Sequence, residues 1–347
     1  MTAKNQSIIN LFPIERRQLW TNILNAVNGL QEIRLRAGQP ILLSAGGVEY
    51  YASADGKLLD MGNGAHYGLQ HKAQYIRGDE IEEIIQHICN YSVYAFEDEL
   101  RQGYVTVRGG HRIGVAGQIV LDDKGKIKTI KHIRYLNIRI AHEIPGAADE
   151  VMEHIYKDDG IKNTLIISPP GCGKTTILRD IIRQLSDGRK KHRGLNIGVV
   201  DERSEIAGSF MGEAQNYLGA RCDVMDACPK QLGMMMLLRS MAPNVLAVDE
   251  LGSDEEFEEL RKAMHCGCSF IATIHGESVR DVFMRFMNQN EQKLNLFELF
   301  IILGKKENKP HIYNIFGREE AYASFVWRGN DNGGKPWDGS LVEIQIP

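Results

Sequence analysis

The sequence predicts an α/β protein in two parts, a smaller α+β domain followed by a three-layer domain built on a parallel sheet. Three observations carry this. After about residue 160, short runs apolar at every position alternate with segments of helical period, as strands buried on both faces and their connecting helices do. Before about residue 145, apolar and polar residues alternate at strand spacing around one strong helix. Between the two, Pro145-Gly146 in HEIPGAADEV (142–151) punctuates the chain. The expected division is an N-terminal α+β domain at 1–145, a linker at 146–160, the parallel-sheet domain at 161–317 and a C-terminal extension at 318–347. A chain of 347 residues suits two domains of roughly 150 residues each.

In the first part, Ile33 and Leu35, then Ile41 and Leu43, sit at strand spacing, with a turn at Gly38-Gln39-Pro40. Ile81, Ile84, Ile85 and Ile88 follow the 3.6-residue period and predict a helix from Asp79 to about Tyr91. Residues 103–121 read as a hairpin, with Val105 and Val107 before a Gly109-Gly110 turn and Ile113 and Val115 after it. Residues 135–141 form another strand, with Leu136, Ile138 and Ile140 on one face.

The second part opens with NTLIIS (163–168), a short run fit for a buried parallel strand. A helix follows from Lys174, with Ile177, Leu178, Ile181, Ile182 and Leu185 on one stripe. Strands are expected at 196–202, 244–250 and 268–276, and helices at 229–243 and 278–288. Ser253 and Glu256 have the spacing of a capping box for a further helix. LFIIL (299–303) and HIYNIF (311–316) look like a closing hairpin.

A net charge of −4 gives no basic field for nucleic acid, which is not expected as a partner. The six cysteines are scattered and form no disulfide framework. Cys266-Gly-Cys268 lacks a second ligand pair, so reduced thiols of a cytosolic protein are the expected reading. The N-terminus lacks a signal peptide's apolar core, and no window reaches about 18 uninterrupted apolar residues. Any membrane contact is expected to be peripheral, through partners.

SPPGCGKTT (168–176) lies between a strand and a helix, the context in which a glycine-rich loop cradles phosphates. Pro170, Gly171, Cys172, Gly173, Lys174, Thr175 and Thr176 are the expected contacts to ATP. The glycines let successive N–H groups point inward, and the helix N-terminus adds its positive end. Lys174 supplies a charge for the β- and γ-phosphates, and the Thr175 hydroxyl a ligand for Mg2+. The Walker A pattern G-x-x-x-x-G-K-[ST] asks for glycine where Ser168 stands.

VLAVDE ends a strand about 75 residues later in Asp249 and Glu250. Asp249 is expected to hold Mg2+ directly or through water, and Glu250 to polarise the attacking water. Glu202, at the end of VVDE, is a candidate to assist the metal or the water; Thr273 and His275, at the end of the 268–276 strand, are candidates to sense the γ-phosphate. Arg221, Arg239, Arg108, Arg112 and Arg139 are candidates for an arginine delivered by a neighbouring subunit. The basic run 188–194 reads as a solvated loop.

SPPGCGKTT, VVDERSEIAG, ARCDVMDACPK, MMMLLRSMAPNVLAVDELG and FIATIHG together resemble the stage III sporulation protein AA family. EIRLRAGQPI, YSVYAFEDELRQGYVTVRGGHRIGVAGQ and LNIRIAHEIPGAAD resemble that family's N-terminal domain, so the likeness covers roughly residues 30 to 305. The resemblance implies a RecA-like, additional-strand, catalytic-glutamate P-loop ATPase similar to the motor ATPases of type II and type IV secretion and pilus systems. It implies a ring, as a hexamer, in the mother-cell cytoplasm. There it would energise the channel complex between mother cell and forespore, with membrane proteins of that complex as partners. Lys174, Thr175, Asp249 and Glu250 take the family roles directly, with Glu202 and His275 as further candidates. Departures are Ser168, His142 where arginine is expected, and residues 318–347. Two other readings stand beside the hydrolase: a nucleotide-gated assembly scaffold with negligible turnover, and a nucleic-acid motor on a similar core.

Overall fold

The computed structural model describes residues 3–61, 70–89, 96–158, 160–189, 191–287, 291–306 and 309–326. The chain forms two compact units. One is Met1–Gly146 with Ile182–Leu195 and Val199–Pro229; the other is Ala147–Ile181 with Asn196–Gly198 and Lys230–Pro347.

The first unit begins with helices α1 (Ala3–Ile9) and α2 (Arg17–Ala26), neither anticipated from the sequence. Trp20, Ile23 and Leu24 of α2 are buried, and Phe12 stacks on Trp20 with ring centroids 3.9 Å apart. A seven-stranded sheet follows: β1 (Leu30–Arg36), β2 (Leu42–Ala45), β3 (Val48–Ala52), β4 (Leu58–Asp60), β5 (Tyr104–Val107), β6 (His111–Leu121) and β7 (Ile127–Arg139). Their order is β4-β3-β2-β1-β7-β6-β5, antiparallel throughout. Register places Leu43, Ile33, Ile138 and Ile113 side by side across four strands, all buried. Helix α3 (Gly78–Ile88) buries Ile81, Ile84, Ile85 and Ile88, the stripe its sequence marks. It ends at Ile88 with Cys89 as its C-cap, short of the expected Tyr91, which lies outside the described residues.

β7 starts eight residues before the expected Tyr135. Ile127, Ile130 and Ile133 are spaced by three, not two, and the pairing with β6 accommodates this with register shifts between Val120 and Leu121 and between Ala116 and Gln118, the latter beside His132 at φ +48°. A bulge breaks the two-residue period by which a strand is recognised. The first unit also takes in Val199–Asp201 from β9 (Ile197–Asp201), and β10 (Cys222–Asp226). β10 was not anticipated: every residue of CDVMD is half-buried, so no alternation announces it.

The second unit begins with a helix at Asp149–Ile155, inside the stretch expected as linker; Val151, Met152 and Ile155 are buried. β8 (Thr164–Ser168) is fully buried and leads through the glycine-rich loop into α4 (Lys174–Asp187). β11 (Val245–Val248), β12 (Ser269–His275), β13 (Leu299–Lys306) and β14 (Lys309–Gly317) complete the framework. In the order β11-β12-β8-β13-β14, the first four run parallel and β14 returns antiparallel. This is the α/β arrangement expected, closed by the expected hairpin. Phe270, Phe297 and Phe300 fill its core, Phe270 and Phe297 edge to face at 5.5 Å. The capping box at Ser253 and Glu256 forms at the start of the helix Asp254–His265. A helix at Arg318–Val326 occupies part of the C-terminal extension; residues 327–347 lie outside the described residues.

Candidate nucleotide-phosphate site

Parallel register assembles the site. Ser168, the last residue of β8, pairs with His275, the last of β12, and Ile166 pairs with Thr273. Val248, the last residue of β11, pairs with Ala272, so Asp249 and Glu250 leave the sheet beside Thr273. The carboxyl ends of three neighbouring strands therefore meet at one rim, where open α/β sheets place their ligands.

At that rim Gly171 and Gly173 take φ +70° and +87°, a conformation that costs residues with a Cβ. Ser168 is not among the residues with positive φ, which is why the loop accepts serine where the pattern asks for glycine. It is buried, its hydroxyl donates to Pro169 O at 2.8 Å, and its carbonyl accepts from Gly276 N at 3.2 Å. Cys172 is also buried, its thiol 3.7 Å from Pro170 O.

Lys174 is 6% exposed, and its ammonium lies 2.9 Å from His275 Nδ1. An ammonium only donates, so Nδ1 accepts and the imidazole proton sits on Nε2. Nε2–H then donates to Glu250 Oε1 at 2.9 Å. Lys174, His275 and Glu250 form one directed chain with a fixed tautomer. A second network runs through Asp249: the Thr175 hydroxyl donates to Oδ2 at 3.0 Å, the Thr273 hydroxyl donates to Oδ1, and Glu250 N donates to Thr273 Oγ1 at 2.9 Å. Glu250 is held at φ +50°, rare for a residue with a side chain, and such strain gathers at functional sites.

These residues fit a nucleotide with Mg2+. The two glycines supply a cradle of backbone amides, and Thr175 and Asp249 offer two adjacent oxygens. Among the described residues, no group of three or more His, Cys, Asp and Glu is placed to hold a metal. Two protein oxygens suit Mg2+, which takes its remaining ligands from phosphates and water.

The remaining candidates divide between the two units: Arg239 belongs to the second, and Glu202, Arg108, Arg112, Arg139 and Arg221 to the first. Glu202 follows β9 in the first unit, in a turn organised by Asp201, whose carboxylate accepts from the backbone of Glu205, Ile206 and Ala207 at 2.8, 3.0 and 2.8 Å. Burial pushes the Asp201 carboxyl up to about 6. Arg112 pairs with Glu205 and stacks over the Tyr104 ring at 3.7 Å. Arg221 donates to Ser186 O at 3.0 Å, while Arg108, Arg139 and Arg239 are exposed. His142 accepts from Lys4 Nζ at 2.7 Å and donates from Nε2 to Leu30 O at 2.8 Å, a task arginine could not perform because it accepts nothing. Sequence reasoning named Thr273 as a phosphate sensor but missed its use here, as the hydroxyl that joins Asp249 to the Glu250 backbone. No local signal marks that role, because the join depends on the β11–β12 register.

Comparison with known proteins gives the fold and the family. DotB of Legionella pneumophila, an ATPase, superposes with a TM-score of 0.55 at 18% identity, covering 90% of this chain and 83% of that one. The pilus retraction motor PilT, solved with bound ADP, gives 0.57 at 15% identity, covering 89% and 85%. At those identities the likeness establishes a shared fold. Stage III sporulation protein AA of Bacillus subtilis (strain 168) is 38% identical over 290 residues, 84% of this chain and 87% of that protein. The family described as "Sporulation stage III, protein AA" matches residues 2–322, and the chain belongs to it.

Proposed function

We propose that the chain is an ATPase that hydrolyses MgATP at the rim formed by β8, β11 and β12. The observation that carries this reading is the directed chain Lys174–His275–Glu250 beside the Thr175–Asp249–Thr273 network. Gly171 to Thr176 bind the phosphates, and Lys174 exchanges its His275 nitrogen for phosphate oxygens. Thr175 and Asp249 hold Mg2+, which when bound neutralises charge on the phosphate oxygens. Glu250, oriented by His275 Nε2–H, positions the attacking water and accepts its proton. His275 links the lysine to the glutamate, so that arrival of the phosphates is felt at the base. Glu202 is a further candidate to assist the metal or the water.

The active assembly is a ring, as a hexamer, with one of Arg221, Arg239, Arg108, Arg112 and Arg139 reaching a neighbour's nucleotide. It energises the mother cell–forespore complex during endospore formation from the mother-cell cytoplasm, through membrane-protein partners. Membership of the sporulation family supports the setting, and the shared fold with DotB and PilT supports a motor. The working parts are an N-terminal domain at 1–145 and an ATPase domain at 161–317. The test is calorimetry with MgATP beside a phosphate-release assay. Lys174→Ala abolishes binding, and Glu250→Gln keeps binding while lowering turnover at least a hundredfold, about the effect of losing general-base catalysis. Normal turnover in Glu250→Gln would remove Glu250 from its role. Tight binding with no turnover by the assembled wild type would favour a nucleotide-gated scaffold.

A further inference from the structure

β13 is the parallel neighbour of β8, with Ile167 paired to Ile302, but it outlasts it. β8 stops at Ser168 and turns into the phosphate loop, whereas β13 runs on to Lys306. Strands advance by about 3.3 Å per residue, so the residues after Ile302 travel alongside the loop. Two contacts record this. A methyl group built on Gly171 would stand 3.7 Å from Lys305 Nζ, and one built on Gly173 would stand 3.1 Å from Pro310 Cβ. Lys305 and Pro310 are a register pair of β13 and β14, so both strands of the hairpin touch the loop's two left-handed glycines.

The lysine is aimed, not merely nearby. The pairing skips a residue between Ile302–Asn314 and Leu303–Ile312, which leaves Tyr313 as the extra residue of β14. Such bulges re-aim a side chain. The Tyr313 ring crosses Gly304 so closely that a methyl group there would sit 2.1 Å from Cε2. Its hydroxyl donates to Lys305 O at 2.6 Å. Gly304 makes room for the ring, the ring fixes the Lys305 backbone, and Pro310 seats the hairpin on Gly173. Among the described residues, Lys305 Nζ enters no hydrogen bond or ion pair. An exposed ammonium thus stands beside the loop at Gly171, with no carboxylate paired to it among the described residues.

We propose that Lys305 is a second cationic ligand for the phosphate chain of the bound nucleotide, delivered by the β13–β14 hairpin of the same subunit. The inference rests on the reading of residues 168–176 as a phosphate loop. Lys174 reaches the phosphates from the helix end and Lys305 from the flank of Gly171. Lys306 follows on the opposite face of the strand and takes no part.

The test is titration of the full chain with MgATP, and competition by inorganic tripolyphosphate, at low and moderate salt. Lys305→Ala raises the Kd for both about tenfold and flattens the salt dependence, as loss of one charge-assisted contact should. Lys305→Arg stays within about threefold of wild type, and Lys306→Ala leaves both constants unchanged. An unaltered Kd in Lys305→Ala, or an equal loss in Lys306→Ala, overturns the assignment while leaving the phosphate site standing. Failure of the wild-type chain to bind either ligand overturns the phosphate site, and this assignment with it.

Discussion

Lys174 and His111 are both basic groups withdrawn from water, and they meet the cost differently. Lys174 is met by a ring nitrogen at 2.9 Å. His111, 1% exposed, stays neutral: Nδ1 accepts from Ala141 N at 3.2 Å and Nε2 lies 2.8 Å from Ser7 Oγ. Burial, helped by nearby Lys4 and His142, lowers its pKa to about 4. In the same unit, burial raises Asp201 to about 6, against its three backbone donors. The two act in opposite senses. His111 binds its proton less readily in the folded chain than in the unfolded one, so its contribution is full above about 6.5 and is lost as pH falls through 4. The contribution of Asp201 is full below about 3.8 and is lost as pH rises through 6. The His111 shift corresponds to about 3 kcal/mol. Chemical denaturation from pH 4 to 6.5 should show partial cancellation in the wild type. In His111→Gln, stability falls with rising pH across that window; in Asp201→Asn, it rises more steeply than in the wild type. Parallel profiles in all three proteins would refute the assignment.

Among elements, the β13–β14 hairpin carries the most consequence for the site. Its inner half is read easily, because LFIIL is apolar at every position, as a strand covered on both sides should be. Its outer half, Gly304 to Lys306 with Lys309 and Pro310, is polar and looks like loop; only the antiparallel pairing makes it strand. Gly304→Ala tests the clamp. A methyl group 2.1 Å from the Tyr313 ring forces that ring away and breaks its bond to Lys305 O. The expected result is a loss of about 1–3 kcal/mol in a thermal melt, as for other overpacked sites. It should also weaken nucleotide binding in proportion to that of Lys305→Ala. Retained affinity with lowered stability would separate the clamp from the lysine.

For the whole molecule, no helix among the described residues is long and apolar enough to cross a membrane. If an arginine completes the site from a neighbouring subunit, turnover per chain should rise with protein concentration, together with mass measured by light scattering in MgATP. Constant specific turnover across assembly would mean that each site is complete in one chain. By itself the sequence determined the loop at 168–176, the acid pair at 249–250, the core strands and the helical stripes. These are local: a glycine pair, an apolar run and a 3.6-residue period each lie within a dozen residues. Only the tertiary structure decided that His275 joins Lys174 to Glu250, that Thr273 ties Asp249 to the Glu250 backbone, and that Lys305 stands against Gly171. Those links span 23 to 134 residues of chain. They are set by the register of parallel strands and by one bulge, and neither leaves a periodic trace in the order of amino acids.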